Sequence, residues 1–394
     1  MTSCIVQKFG GTSVATLERI NKVAEIVAES RAQNKNIVVV VSAMAGVTNK
    51  FVEYVQNLNA SEGDPEYDQV VSSGELVTAG LLAIALKNKG ISARSYASWQ
   101  VPIFTDNCYG QAKITNIDAE DLKKKLEEGI VPVVCGFQGV SSENRTTTLG
   151  RGGSDLTAVA VAAALNAELC EIYSDVDGVY TVDPNIYPNA RKIENINYRE
   201  MLIMAAQGAK ILQEQSVSYA MEKNVIVRVA SSFVKGSGTI ISGNASAKPF
   251  CGIAVTHHLS HLRISYEKIE DRAEILDLLK KNSINYEIYK SHCPKKVKII
   301  LDKRREPIAI ALLKNCRSVS DVKPEVSRKH LSRISVIGKN CNEESRNQMV
   351  NLLKNNKIYV LDGVVYDYQI DLLVASNQLI EAISFLHKYC GLDQ

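Results

Sequence analysis

The chain has 394 residues, 45% hydrophobic and 23% charged, a balance that excludes a disordered protein and suits two to four domains. Lys and Arg number 46 against 43 Asp and Glu, so the net charge of +3 argues against nucleic-acid binding by bulk charge. Ile5 to Lys8 predicts a short strand ending in Lys8-Phe-Gly-Gly-Thr-Ser13, ahead of a helix from about Val14. In that helix Leu17, Ile20, Val23, Ala24 and Val27 recur at helical spacing, with charges on the opposite face. Ile37 to Val41 is a β-branched run typical of a strand buried on both faces. Val131 to Cys135, Leu169 to Tyr173 and Val225 to Val229 are further strands. Leu76 to Leu86 and Leu156 to Leu165 predict apolar, Ala-rich helices. This alternation means a largely parallel sheet with helices on both faces.

The composition shifts near residues 243–260. Nineteen of 23 glycines precede residue 251, and all six histidines lie at or after His257. The charge changes from −3 over residues 1–251 to +6 over the remainder. Ser242-Gly-Asn-Ala-Ser-Ala-Lys-Pro249 has linker composition. The expected division is residues 1–245, a linker at 246–260, and a second region at 261–394. In that region Arg263–Tyr266, Ala273–Asn282, Tyr286–Tyr289, Lys296–Leu301 and Pro307–Lys314 read as β-α-β-β-α. Arg333–Ile337, Ser345–Asn355, Tyr359–Val360, Gln369–Val374 and Leu379–Tyr389 repeat that order, which is ferredoxin-like.

The apolar runs Ile37–Val41 and Ala158–Leu165 are too short to span a membrane, and the N-terminus shows no secretory leader. Nine cysteines are scattered singly without a C-x-x-C. A reduced, cytoplasmic protein with no metal site of its own is therefore expected.

The first 256 residues hold no histidine, which removes His bases and Ser-His-Asp triads. What remains suits phosphoryl transfer, where a protein mainly positions groups and neutralises charge. Lys8 before Gly10 and Gly11 suits an anion, although no P-loop pattern is present. Gly150-Arg-Gly-Gly-Ser-Asp155 lacks dinucleotide-loop spacing, and Arg151 at a helix start better fits a carboxylate or phosphate. Asp175, Asp177 and Asp183 cluster beyond the Leu169–Tyr173 strand, where open α/β sheets bind ligands, and turn chemistry accounts for Asp177 and part of Asp183. Glu75 is either a first-turn helix acid or an ammonium partner. His257, His258 and His261 lack a carboxylate or sulfur partner and read as a solvated linker.

Taken together, Lys8–Ser13, Ser42–Thr48, Ser73–Glu75, Gly150–Asp155, Tyr173–Pro184 and Gly208-Ala-Lys-Ile211 closely resemble the motifs of the aspartate kinases over residues 4–243. The resemblance implies an α/β amino-acid kinase fold, an αβα sandwich like that of carbamate kinase, followed by two ferredoxin-like ACT units. It implies ATP with Mg²⁺ as the phosphoryl source, L-aspartate as acceptor and L-4-aspartyl phosphate as product. That product opens the routes to diaminopimelate, lysine, threonine and methionine.

It further implies that Lys8 neutralises the transferring phosphoryl group while Gly10 and Gly11 donate backbone N–H groups beside Phe9. Asp155 would orient Lys8 or a Mg²⁺-bound water. Arg151, with Gly152 and Gly153, would hold the substrate α-carboxylate and Glu75 its ammonium. Ser42, Thr48 and Ser154 would place the reacting carboxylate. Ser174, Asp175, Tyr180, Asp183 and Lys210 would line the ATP site. The ACT-like region would assemble a dimer or tetramer, with neither nucleic acid nor membrane as partner.

Two places depart from the family pattern. Asn185 stands where many members carry Arg, and Lys268–Asp271 and Tyr289–Ser291 replace the usual effector-loop residues. Weak or absent inhibition by lysine and threonine is therefore expected. The alternatives are another kinase of this fold, acting on glutamate, N-acetylglutamate, carbamate or UMP, a non-catalytic amino-acid sensor, or a nicotinamide oxidoreductase.

Overall fold

The computed structural model describes residues 4–33, 36–208, 211–244, 248–289, 293–324 and 330–393. Two compact units emerge. The first comprises residues 1–179, 192–206 and 210–247, and the second comprises 180–191, 207–209 and 248–394.

The first unit opens with β1 (Cys4–Phe9), α1 (Leu17–Ala32), β2 (Asn36–Val41), α2 (Val47–Asn57), α3 (Pro65–Val71) and α4 (Ser73–Asn88). It continues with β3 (Ala93–Tyr96), β4 (Ile103–Thr105), β5 (Ile114–Ile117), α5 (Glu120–Glu127), β6 (Val131–Cys135), β7 (Gln138–Val140) and β8 (Thr146–Thr148). It ends with α6 (Gly153–Leu165), β9 (Leu169–Ser174), β10 (Asn195–Asn197), α7 (Tyr198–Ala206), α8 (Glu214–Lys223), β11 (Val227–Ser231) and β12 (Thr239–Ser242). Eight strands form the main sheet in the order β10-β12-β11-β9-β1-β2-β6-β3, parallel except where β12 meets β11.

The central strands are nearly continuous apolar runs because helices cover both of their faces. Ile37, Val39 and Val41 pack with Ile20, Val23 and Val27 of α1 and with Ala79, Leu82 and Leu86 of α4. The Ala-rich α6 packs against β1, β2 and β9. The sandwich expected from the alternating pattern is therefore the one observed. A separate four-stranded sheet, β5-β4-β7-β8, carries the chain toward Gly150.

Three local readings change. The first helix starts at Leu17, where Thr16 caps it by accepting the Arg19 N–H, so a short turn separates the Gly10-Gly11 bend from the helix. A strand, β8, ends two residues before Gly150, nearer than the Val131–Cys135 run suggested. The helical stretch Pro65–Asn88 is long and apolar enough to cross a membrane, which the sequence reading overlooked. Its inner face nevertheless carries buried Asp68 and Glu75 and packs into the sheet core, as a core helix does.

The second unit contains β13 (Gly252–Ser265), α9 (Asp271–Lys281), β14 (Glu287–Tyr289), β15 (Lys296–Asp302), α10 (Glu306–Lys314) and β16 (Asp321–Pro324). Then come β17 (Leu331–Ile337), α11 (Glu343–Asn355), β18 (Val360–Tyr366), β19 (Gln369–Ala375) and α12 (Leu379–Tyr389). Leu259–Ser265 of β13 pairs with β15 and β16, giving one ferredoxin-like arrangement ordered β16-β13-β15-β14. Gly252–Thr256 pairs with β17, giving a second arrangement ordered β13-β17-β19-β18. Within the second unit one long strand thus serves both ferredoxin-like arrangements, which are interleaved where a tandem pair was expected. The switch is an irregularity between Thr256 and Leu259, where His258 takes a positive φ of 57°.

Residues 252–260, read as linker, are therefore strand, and His261 is buried rather than solvated. Each half buries an apolar layer under its own helices. Leu262, Ile264, Val297 and Ile299 pack with α9 and α10, while Ile334, Val336, Ile370 and Leu372 pack with α11 and α12. On the other faces Leu259, Tyr289, Ile300, Leu331 and Leu373 form a further cluster. Buried Arg333 pairs there with Glu287 and lies 3.9 Å from Asp371. Residues 180–191 also belong to this unit: Val182 enters its core with Ile186 and Tyr187, and Thr181 Oγ1 lies 2.9 Å from His387 Nε2.

Candidate active site

Parallel β/α units leave loops at the carboxyl ends of their strands, and there the first unit opens a cavity of about 460 Å³. Strand β1 delivers Lys8 and Gly11, and the bend after β2 delivers Ser42, Met44 and, at the start of α2, Thr48. The first turn of α4 supplies Glu75, and Gly150–Asp155 closes the ring. Two glycines make this convergence possible. A Cβ on Gly74 would lie 2.8 Å from the Ala43 Cβ, so only glycine lets α4 meet the β2 bend. Gly152, at φ +75°, caps α6 and leaves no room for a Cβ beside Gln213.

The charges are arranged unequally. Lys8 Nζ lies 2.5 Å from Asp155 Oδ1, both side chains being largely buried. This pair is locally neutral and fixes the ammonium at the cavity wall. Glu75 is 3% exposed, and its Oε1 accepts the Ala43 N–H at 3.0 Å. Its Oε2 is buried with no hydrogen-bond partner among the described residues. Burial pushes the Glu75 carboxyl up to about 7, because an ion loses more hydration there than nearby backbone N–H groups return. Arg151 is exposed and has no ion-pair partner among the described residues. An unsatisfied carboxylate and an unpaired guanidinium thus line one cavity, the two charges that a zwitterionic amino acid would answer. Ser154 is buried in the first turn of α6, and Ser42 and Thr48 are partly exposed.

The residues assigned to ATP are placed less uniformly. Strands β1 and β9 pair in parallel with Phe9 opposite Tyr173, so Ser174 and Asp175 emerge beside the Gly10-Gly11 bend. The Phe9 ring is fully buried and stacks on Tyr173 at 4.9 Å, so only its backbone can face a ligand. The Gly10 N–H donates to the Tyr173 carbonyl at 3.1 Å. That bond corrects the expected phosphate contact from Gly10, because strand pairing has already taken the donor. Tyr180 and Asp183 belong to the second unit, and Lys210 lies outside the described residues. Asp183 Oδ1 accepts from the Asn185 N–H and Nδ2, which is turn chemistry. Asp177 pairs with Lys192 at 3.1 Å.

Sequence reasoning missed Glu62, Tyr67, Gly110, Phe137 and Thr148, which complete the cavity wall. They come from loops and short strands distant in sequence, and no local pattern marks them. Among the described residues no cluster of three His, Cys, Asp or Glu side chains could hold a metal ion.

Comparison with known proteins agrees with this geometry. The model of the amino acid kinase family matches residues 3–231. An aspartokinase of Rickettsia felis is 49% identical over 242 residues, an alignment covering 60% of this chain and 60% of that protein. The chain thus spans about three-fifths of the length of such relatives. An aspartokinase of Bacillus sp. strain MGA3 is 36% identical over 397 residues, covering 98% of this chain and 96% of that protein. The crystal structure of Escherichia coli aspartokinase III in complex with lysine and aspartate superposes with a TM-score of 0.81 at 25% identity, covering 98% and 99% of the two chains. The chain belongs to the amino acid kinase family and, within it, to the aspartokinases.

Proposed function

We propose that this chain transfers the γ-phosphoryl group of ATP to the side-chain carboxylate of L-aspartate. A carboxylate oxygen attacks phosphorus, the bond to the β-phosphate bridging oxygen breaks, and L-4-aspartyl phosphate and ADP leave. The observation that carries this reading is the unpartnered Glu75 Oε2 and the unpaired Arg151 facing one cavity with the Lys8–Asp155 pair. Glu75 would take the substrate ammonium and Arg151 its α-carboxylate, leaving the second carboxylate for Ser42, Thr48 and Ser154 to place. That carboxylate is ionised at pH 7, so no general base is required. Lys8 would neutralise charge on the moving phosphoryl group, with Asp155 holding it in position.

The first unit's anion bend and the neighbouring Ser174 and Asp175 favour ATP. Mg²⁺ would arrive on the triphosphate, since it keeps several waters and needs only one or two protein carboxylates. Asp155 is the carboxylate suited to meet it. We place the enzyme in the cytoplasm, as a dimer or tetramer built through the second unit. ADP release should depend on L-aspartate and fall at least tenfold with N-acetyl-L-aspartate, which lacks the ammonium that Glu75 would hold. Equal turnover of both compounds would contradict the assigned roles.

The effector loops support a further expectation. Lys268 to Asp271 forms a local turn, with the Asp271 carboxylate accepting the Lys268 N–H at 3.0 Å. A nearby cavity of about 300 Å³ is lined by Arg272 and Lys296 with Tyr266 and Ile288, and Lys290 and Ser291 lie outside the described residues. Two cations disfavour a lysine side chain. Millimolar lysine or threonine should leave the initial rate essentially unchanged, and inhibition at sub-millimolar lysine or threonine would overturn this expectation.

A further inference from the structure

We propose that Asp68 is a positioning residue, whose buried carboxylate clamps two loops of the cavity wall so that Glu75 and Arg151 stand at a fixed separation. The inference rests on reading the cavity as an amino-acid site. Asp68 lies on α3, fully buried, with no cation beside it among the described residues. Its Oδ2 accepts the Gly110 N–H at 3.0 Å and the Thr148 N–H at 2.7 Å, and its Oδ1 accepts the Thr148 hydroxyl at 2.8 Å. Gly110 and Thr148 both line the cavity.

The two ends of this clamp lead directly to the two substrate charges. Toward Glu75, the Ser72 N–H and hydroxyl both bond the Asp68 carbonyl, at 3.2 and 2.7 Å, joining α3 to α4. Toward Arg151, Thr148 is the last residue of β8 and stands three positions before the guanidinium. Its carbonyl in turn accepts the Ala112 N–H at 2.8 Å, tying in the turn that carries Gly110. A buried carboxylate satisfied only by neutral donors is costly to keep, and its burial raises the Asp68 pKa. What that expense secures is the geometry between an ammonium clamp and a carboxylate clamp.

The experiment compares wild type, Asp68→Ala and Asp68→Asn by steady-state kinetics and by amide hydrogen exchange over residues 146–153. An amide oxygen can accept both N–H groups and its NH₂ can donate to a turned Thr148 hydroxyl, so Asp68→Asn should behave as wild type. Asp68→Ala should raise KM for aspartate about tenfold or more, change kcat and KM for ATP little, and speed exchange over 146–153. A lower melting temperature with unchanged KM for aspartate and unchanged exchange would overturn the proposal, as would failure of Asp68→Asn to restore KM. If wild type turns over no aspartate, the functional reading fails, and the exchange comparison alone decides the clamp: faster exchange in Asp68→Ala supports it, and unchanged exchange overturns it. If Asp68→Ala does not fold, Thr148→Val should raise KM for aspartate where Thr148→Ser does not, and equal KM values in those two variants would overturn it.

Discussion

Lys8→Ala should keep the fold and lose about a thousandfold or more in turnover, the scale expected when a preorganised charge is removed from phosphoryl transfer. Lys8 is the next-to-last residue of the central strand β1 and is held at 2.5 Å by Asp155, so its ammonium is in position before substrate arrives. Among the described residues Arg151 is the one other cation lining the cavity, and the proposed arrangement reserves it for the α-carboxylate, while the Gly10 N–H is bonded to the Tyr173 carbonyl. Breaking a largely buried pair by removing one partner costs about 3–5 kcal/mol, since Asp155 is left without its cation. Circular dichroism at the assay temperature therefore has to accompany the rate measurement. A folded Lys8→Ala variant with wild-type turnover would refute the role.

Glu75→Gln should raise KM for aspartate about a hundredfold, since it removes the desolvated charge that in the proposed arrangement would meet the substrate ammonium. It should also make the free protein more stable above neutral pH. The Glu75 carboxyl is raised to about 7 by burial. The unfolded chain releases that proton near pH 4.5, so wild type loses stability as pH rises from there through about 7. Above that range the penalty is complete, on the order of 3 kcal/mol, and Glu75→Gln escapes it. Below pH 4 the two proteins should melt alike. In kinetics the sign is opposite: the carboxylate form binds ammonium, so KM for aspartate in wild type should climb as pH falls below about 7, while Glu75→Gln stays flat. Denaturant titrations and KM profiles between pH 4 and 9 check both statements. A wild type with a flat KM profile, or a Glu75→Gln variant with normal KM, would remove Glu75 from the substrate site.

The local signals in the sequence were those of buried strands and of motifs at strand ends. Ile37–Val41 and Val131–Cys135 read as central strands because β-branched runs between two helix layers have no other stable place. Lys8, Glu75, Arg151 and Asp155 were legible because each sits next to glycines or hydroxyls at an element boundary, and the fold brings all four to one cavity. The interleaved second unit was not legible. Gly252–Ser265 follows a Gly-Ser-Ala-Pro stretch and carries three histidines, so composition suggested a linker. Its strand character comes from pairing with β15 and with β17, far along the chain. The Tyr173–Pro184 motif looked like a single ATP segment, yet Val182 is buried in the second unit's core and the motif divides after Val179. Gly10 was read as a phosphate donor because a sequence does not show that a neighbouring strand will take its N–H. Asp68 belongs to none of the motifs read from the sequence, and only the tertiary approach of Gly110 and Thr148 gives it three donors.

Trapping the product with hydroxylamine tests the central claim most directly. Purified protein is incubated with ATP, Mg²⁺ and hydroxylamine, and with L-aspartate, L-glutamate, N-acetyl-L-glutamate or carbamate as acceptor. UMP is run in parallel by ADP release. Aspartate should give its hydroxamate in proportion to ADP formed, and the other acceptors little or none. Turnover with another acceptor but not with aspartate would keep the fold and contradict the substrate assigned to Glu75 and Arg151.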